Sequence, residues 1–174
     1  MSESSFLVSL LTSGSSGNAT YIETPQRKIL VDCGLTGKAI AAQMEKIGRS
    51  VADIDTILVT HEHVDHIKGI GVLARKYGMD IYANEKTWKA MENKNIGVIK
   101  QDQKHLFEPG VTKTFGDIDV MSFAVSHDAA SPQFYSFQKD QKQFVMLTDT
   151  GYVSEKLRRL LYNADAYLME SNHD

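Results

Sequence analysis

The sequence predicts a single α/β domain over residues 1–174. Short apolar segments with the composition of strands alternate with segments that carry apolar residues at helical spacing. Polar residues able to bind metal follow several of the predicted strands, which is where the sites of α/β sheets usually lie. A hydrophobic share of 42% and a charged share of 24% are typical of a globular chain of this length. We therefore expect one core, with a functional site at strand ends.

The first half of the chain contains five predicted strands and three predicted helices. A hairpin opens the chain, because two apolar segments flank the small-residue turn SGSSGN at 13–18. Gly, Pro and polar residues separate the remaining elements. The strands are expected over 6–11, 19–23, 28–31, 56–60 and 80–83. The helices are expected over 37–47, 65–77 and 85–91.

The sequence of the second half of the chain predicts a series of strands and one helix near its end. Residues 94–110 show little apolar periodicity and are expected to be irregular. The strands are expected over 111–115, 118–125, 134–138, 144–147 and 166–169. The third and fourth of these form an antiparallel pair around 139–142, and a helix is expected over 154–162.

The segment HEHVDH at 61–66 is the strongest functional signal in the chain. It holds three of the six histidines, and its pattern should arise by chance in about one of two thousand chains of this composition. His61 and His63 alternate along extended chain and can point the same way, while Asp65 and His66 begin a helix and turn toward a neighbouring position. Imidazole and carboxylate ligands suit zinc or manganese. The alternative is a polar loop with incidental histidines.

Three further polar residues follow predicted strands and complete a metal centre. His127 would join His61 and His63 around a first ion, and Asp149 would bridge both ions. Asp32 is expected to orient a ligand imidazole rather than to bind metal itself. We expect all these strand ends to meet at one sheet edge. The alternatives are a surface histidine for His127 and turn residues for the two aspartates.

The turn at 13–18 is a candidate phosphate contact. Its backbone amides would cradle a phosphate group through Ser15, Ser16, Gly17 and Asn18. The alternative, a tight connection between two strands, is the commoner role of such a turn.

These motifs resemble the metallo-β-lactamase-fold hydrolases over essentially the whole chain, and among them the YycJ/WalJ group of cytoplasmic bacterial nucleases. The resemblance rests on SGSSGN at 13–18, VDCG at 31–34, THEHVDH at 60–66, LTDTG at 147–151 and ESNHD at 170–174. It implies an αββα sandwich with two metal ions. It implies one metal set of His61, His63 and His127, a second of Asp65 and His66, and Asp149 as the bridge.

The expected reaction is hydrolysis of a phosphodiester by a hydroxide held between two divalent ions about 3.5 to 4 Å apart. Asp65 would move the proton, and DNA is favoured over RNA as the substrate. Two alternatives stay open at this point. One is a hydrolase of the same fold for a thioester, lactone or cyclic phosphodiester. The other is a metal-binding fragment without catalysis.

One departure from the family pattern concerns length. Members supply a last metal-binding histidine from a later strand, which no residue here clearly matches, and His173 belongs instead to the ESNHD motif. We therefore expect a chain truncated in its second half, with apolar surface that a partner subunit of a homo-oligomer would cover.

Composition narrows the cellular setting. A net charge of -3 gives no general attraction to nucleic acid, although bound divalent ions would offset that charge at the site, so the net charge does not identify the partner. The apolar runs are too short to cross a bilayer, and the start of the chain lacks a basic signal sequence. The lone Cys33 cannot form an internal disulfide and is expected to be buried. We expect a cytoplasmic protein.

Overall fold

The computed structural model of the protein describes residues 6–125, 130–148 and 166–170. Within these ranges the chain forms eleven strands and four α-helices. The strands are β1 Leu7–Thr12, β2 Ala19–Glu23, β3 Lys28–Val31, β4 Thr56–Leu58, β5 Asp80–Ala83, β6 Lys104–Leu106, β7 Thr112–Phe115, β8 Ile118–Ala124, β9 Gln133–Lys139, β10 Lys142–Thr148 and β11 Ala166–Glu170. The helices are α1 Gly37–Lys46, α2 Val64–Ile67, α3 Ile70–Tyr77 and α4 Glu85–Met91.

Two sheets carry these strands. The first has the order β1-β2-β3-β4-β5-β6, antiparallel at β1, β2 and β3 and parallel from β3 to β6. The second has the order β11-β10-β9-β8-β7 and is antiparallel apart from the parallel β10–β11 pair. Because β3, β4 and β5 run parallel, their carboxyl ends meet at the same edge of the first sheet.

The strands β2, β3 and β4 of the first sheet are buried on both faces, and the alternation of side chains along them separates two cores where one was expected. On β4, Ile57 packs with the helix residues Ile40 and Leu73. Leu58 points the other way, into a core that it shares with Phe137 of the second sheet. The described residues therefore form a helix layer and two face-to-face sheets. The predicted helix over 154–162 lies outside the described residues.

Side-chain caps fix where two of the helices begin. The Thr36 hydroxyl accepts a hydrogen bond from the backbone N–H of Ala39 at the start of α1. The Asn84 side chain accepts one from Thr87 N at the start of α4. Each cap satisfies a backbone donor that has no partner inside the helix. Both helices begin at the predicted residue.

The predicted helix over 65–77 is in fact two helices, α2 and α3, separated at Lys68 and Gly69. The apolar periodicity continues across the break, so it gave no signal in the sequence. The cause is tertiary. The Gly69 N–H donates to Cys33 O at 2.9 Å, and a Cβ at Gly69 would lie 2.1 Å from Leu35 O. The chain therefore bends where it packs against the loop after β3.

Two other expectations are wrong. Residues 94–110, expected to be irregular, contain β6, which pairs in parallel with β5. The strands that precede the predicted ligands also do not belong to one sheet edge: β3 and β4 lie in the first sheet, and β8 and β10 lie in the second. Any site built from all four strand ends must therefore lie at the rim between two sheets.

Among the described helices, none has the length and apolar character needed to cross a membrane.

Candidate metal centre

The HEHVDH segment begins three residues after the end of β4 and runs into α2, with His63 at the N-cap of that helix. The ring centroids of His61 and His66 lie 4.0 Å apart, and those of His61 and His63 lie 4.7 Å apart. His61 and His66 are buried, whereas His63 is partly exposed. The structure therefore gathers the three imidazoles into one cluster at the carboxyl end of β4.

Asp32 is buried at the end of β3 beside this cluster. Its Oδ1 accepts a hydrogen bond from Thr60 N at 2.8 Å, and its Oδ2 accepts one from the Thr60 hydroxyl at 2.6 Å. Oδ2 also lies 2.7 Å from His66 Nδ1. The backbone of Asp32 adopts φ 62°, a left-handed conformation that is uncommon for a residue other than glycine. Such strain often marks a functional position.

These contacts define which ring nitrogen of His61 and of His66 carries a hydrogen. A carboxylate only accepts hydrogen bonds, so His66 Nδ1 must carry the hydrogen that it shares with Asp32. The single hydroxyl hydrogen of Thr60 is donated to Asp32, so Thr60 Oγ1 must accept from His61 Nδ1 at 2.9 Å. In the neutral form of each ring the lone pair then lies on Nε2, the nitrogen that would bind a metal ion.

Asp65 is held at the start of α2 by Asn18. The Asn18 side-chain amide donates to Asp65 O at 3.1 Å and to Asp65 Oδ2 at 3.3 Å. The backbone N–H of Asn18 also donates to Asp65 O at 2.8 Å. Asp65 Oδ2 lies 3.8 Å from His66 Nε2. The carboxylate is therefore close to the ring nitrogen that carries the lone pair.

The second sheet also contacts the segment that follows β4. Gln133 N, at the start of β9, donates to Thr60 O at 2.9 Å, and Gln133 pairs with Ala124 at the end of β8. The Glu62 carboxylate accepts from Ala130 N, with both oxygens at 3.1 Å. The end of β8 therefore lies beside the histidine segment. His127, which follows β8, and Asp149, which follows β10, lie outside the described residues, as does His173.

The donor chemistry of this cluster fits a divalent transition-metal ion. Three imidazoles and one carboxylate are ligands that zinc and manganese accept, and Asp32 gives His66 the carboxylate contact common behind metal-binding histidines. Within the described residues, however, no three His, Cys, Asp or Glu side chains form a complete ligand group. His61, His63, Asp65 and His66 thus stand close together without closing a site on their own.

The predicted phosphate contacts fall into two groups. Ser15 and Ser16 are exposed at the tip of the turn, so their predicted role stays open. Gly17 and Asn18 are buried, and the Asn18 side chain is occupied by Gly14 and Asp65. The Asn18 side chain therefore contacts the start of α2, and the predicted phosphate contact of Gly17 and Asn18 stays a prediction.

Two buried residues of the segment have contacts that the sequence did not reveal. Thr60 connects Asp32 with His61, and Glu62 connects the segment with Ala130. The position of Thr60 directly before His61 is only a weak signal in the sequence that its hydroxyl contacts a histidine ring. Glu62 gave no signal at all, because Ala130 is distant in sequence.

Comparisons with known proteins agree with this geometry. The family model described as "Beta-lactamase superfamily domain" matches residues 27–173. The exodeoxyribonuclease WalJ of Streptococcus pneumoniae is 62% identical over 175 residues, which cover 100% of this chain and 65% of that protein. The exodeoxyribonuclease YycJ of Bacillus anthracis is 54% identical over 166 residues, which cover 95% of this chain and 62% of that protein. The chain thus spans less than two thirds of the length of these relatives.

Solved structures support the fold. The Rm3 metallo-β-lactamase superposes with a TM-score of 0.71 at 17% identity, covering 98% of this chain and 79% of that one. A metallo-β-lactamase of Cronobacter sakazakii with a HARLDQ motif superposes with a TM-score of 0.71 at 20% identity, covering 93% and 76%. At these identities the similarity concerns the fold alone. The predicted fold class is confirmed.

Proposed function

This chain belongs to the β-lactamase superfamily and has the metallo-β-lactamase fold, and we propose that it is a metal-dependent hydrolase that degrades DNA as an exonuclease. The observation that carries the proposal is the contact of Asp32 with Thr60 and His66, which fixes Nδ1 of two clustered histidines as the donor and makes Nε2 the nitrogen suited to metal. The names of the relatives WalJ and YycJ support DNA as the substrate.

In this proposal the residues divide between two zinc or manganese ions. His61, His63 and His127 would hold the first ion, Asp65 and His66 the second, and Asp149 would serve both. When bound, the ions would supply Lewis acidity and lower the pKa of a water molecule toward about 7, which removes the need for a serine or cysteine nucleophile.

The chain itself supplies orientation and proton transfer. Asp32 fixes the plane of the His66 ring through a 2.7 Å contact, and Thr60 extends this hold to His61. The Asp65 carboxylate accepts the proton that hydrolysis releases, close to the ring of His66. Burial of Asp32, Thr60 and both rings keeps bulk water away from these contacts and so strengthens them.

The test uses end-labelled single- and double-stranded DNA and RNA, incubated with the protein and either Mn²⁺ or Zn²⁺. We expect DNA to be shortened from an end by the wild-type chain. Asp65→Asn keeps the shape of the side chain and should lower the rate at least about a hundredfold. Asp102→Asn is the matched control, since Asp102 is exposed and precedes the amino end of β6, which lies at the sheet edge opposite to the carboxyl end of β4.

Other outcomes would identify other functions. Binding that is insensitive to salt, together with hydrolysis of a thioester or lactone and intact polymers, would contradict the nuclease. Metal binding without any hydrolysis would show a metal-binding module. Equal rates for Asp65→Asn and Asp102→Asn would remove Asp65 from the reaction.

A further inference from the structure

Asn18 is one of the few polar side chains that are almost completely buried near the cluster, with 1% of its surface exposed. Its Oδ1 accepts from Gly14 N at 3.1 Å, and its Nδ2 donates to Gly14 O at 3.0 Å. These two bonds close the turn before β2. A residue that served only this turn would need no further contact.

The same amide group also reaches Asp65, 47 residues later in the chain. It donates to both the main-chain carbonyl and the side-chain Oδ2, at 3.1 and 3.3 Å. A hydrogen bond to a carboxylate is stronger than one between neutral groups, and it restricts the rotation of the carboxylate. An amide does this without adding charge, so it does not compete with Asp65 for a cation.

The main chain keeps the two segments together independently of this side chain. Asn18 N donates to Asp65 O at 2.8 Å, and Gly34 N donates to Asn18 O at 2.9 Å. Removal of the side-chain amide should therefore leave the segments adjacent while it releases the Asp65 carboxylate. This separation makes the role of the amide measurable.

From this geometry we infer that Asn18 is a positioning residue: its amide fixes the Asp65 carboxylate toward His66 and thereby sets the affinity of the site for a divalent cation. The inference rests on the proposed function, in which Asp65 binds metal. It assigns Asn18 to metal affinity and not to the binding of a substrate phosphate.

The experiment titrates Zn²⁺ alone into the 174-residue chain by calorimetry and compares dissociation constants. Asn18→Ala should weaken binding about tenfold, within the range of about ten- to a hundredfold for residues that orient a metal ligand. Asn18→Asp should weaken it more, because it places an acceptor oxygen against the acceptors of Asp65. Gln103→Ala is the matched control: Gln103 is a buried amide that bonds Ala74 O and Met79 O, and its loss should leave the constant unchanged.

A double-mutant cycle shows whether Asn18 acts through Asp65. In an Asp65→Asn background, Asn18→Ala should cause no further loss of affinity. The inference is overturned if Asn18→Ala binds Zn²⁺ like the wild type, or if its effect persists without the Asp65 carboxylate. If Asn18→Ala does not fold, Asn18→Asp tests the same bonds with an unchanged shape.

The two proposals fail in different ways. A wild-type chain that retains no Zn²⁺ overturns both the metal-dependent function and the role of Asn18. A wild-type chain that binds Zn²⁺ no more tightly than Asn18→Ala overturns the role of Asn18 alone.

Discussion

Thr60 lies at the centre of the polar contacts that join Asp32 to the histidines, and it is fully buried. Its hydroxyl donates its single hydrogen to Asp32 Oδ2 at 2.6 Å and accepts a hydrogen bond from His61 Nδ1 at 2.9 Å. The Asp32 carboxylate therefore orients two imidazole rings: that of His66 directly and that of His61 through the Thr60 hydroxyl. A side chain without a hydroxyl would leave His66 oriented and His61 not.

Thr60→Val should therefore weaken Zn²⁺ binding about tenfold, while Thr60→Ser retains near wild-type affinity. Both are measured by calorimetry. Thr114→Val is the control, because Thr114 makes a similar 2.7 Å bond to an aspartate, Asp119, at the far side of the second sheet. Equal affinities for Thr60→Val and Thr60→Ser would show that the hydroxyl does not orient His61.

The Cys33 thiol is completely buried directly after Asp32. Burial raises its pKa to about 12, because the thiolate would lose its hydration, and this exceeds the opposing effect of the backbone contact at Leu35. Between about pH 9 and pH 12 the thiol therefore keeps its proton in the folded state, whereas it has lost that proton in the unfolded state. Stability is unaffected below the unfolded pKa, near 9, and falls as the pH rises from 9 toward 12.

Native protein at pH 8 should consequently react with iodoacetamide at least about a hundredfold more slowly than protein unfolded in guanidinium. Mass spectrometry of the alkylated chain measures both rates. A native rate close to the unfolded one would contradict the burial of Cys33.

At the scale of elements, most strands followed directly from the sequence. The bounds of β2, β3, β5 and α4 were predicted to the residue, because their apolar residues face one of two cores and polar turns separate them. β6 was missed because its sequence Lys-His-Leu has no alternating pattern. It is a strand only because β5 offers its backbone groups, which is a tertiary effect.

In the site, too, the features set by local sequence could be predicted and those set by tertiary packing could not. The clustering of the histidines in the HEHVDH segment, and the place of Asp32 beside them, could be predicted because they depend on strand ends and spacing, while the ligand roles stay predictions. The roles of Asn18 and Thr60 could not, because they depend on which loop packs on which. Asn18 is separated from Asp65 by 47 residues, and no local pattern records that contact.

Gly34 shows how closely these loops approach. A Cβ at this position would lie 1.7 Å from Asp65 O and 2.8 Å from Asn18 N, both of them backbone atoms. No side-chain rotation can relieve such an overlap. Glycine is required here by the packing of the loop after β3 on the start of α2.

Gly34→Ala should therefore lower the free energy of unfolding by about 3 kcal/mol and weaken Zn²⁺ binding, because Asp65 must move. Gly78→Ala is the control. Gly78 caps α3 with φ 71° and has no atom within 4 Å of its Cβ position, so only about 1 to 2 kcal/mol of backbone strain is expected, with unchanged metal affinity. Guanidinium unfolding and calorimetry separate the two. A Gly34→Ala chain as stable as Gly78→Ala would mean that the loops are not in close contact.

At the scale of the whole molecule, the site belongs to the junction of two sheets and not to one edge. Val31 and Leu58, which directly precede the site, are buried against Phe137 and Phe144 of the second sheet. The same packing that builds the core therefore aligns the strand ends that carry the proposed ligands. Sequence periodicity identifies the strands, but it does not say which sheet each one joins.

Tyr135 makes one of the polar contacts across this junction, beside the bond from Gln133 N to Thr60 O. Its hydroxyl, on β9, donates to Val59 O of the first sheet at 2.6 Å and accepts from Gln133 Nε2 at 2.9 Å. The side chain is fully buried, and this burial holds the pKa of its hydroxyl above the ordinary value, so the donor stays protonated at neutral pH. The bond lies one residue before Thr60, close to the histidine segment.

Tyr135→Phe should lower the free energy of unfolding by about 1 to 3 kcal/mol, because it removes the donor to the buried Val59 carbonyl and one of the two acceptors of the Gln133 amide, which keeps its bond to Phe107 O. It should also weaken Zn²⁺ binding, since the position of Thr60 relative to the second sheet depends on this link. Tyr82→Phe is the control: Tyr82 is partly buried, and its ring stacks on His105, a contact that phenylalanine preserves. If both variants unfold at the same guanidinium concentration and bind Zn²⁺ equally, the Tyr135 hydroxyl does not help to align the two sheets.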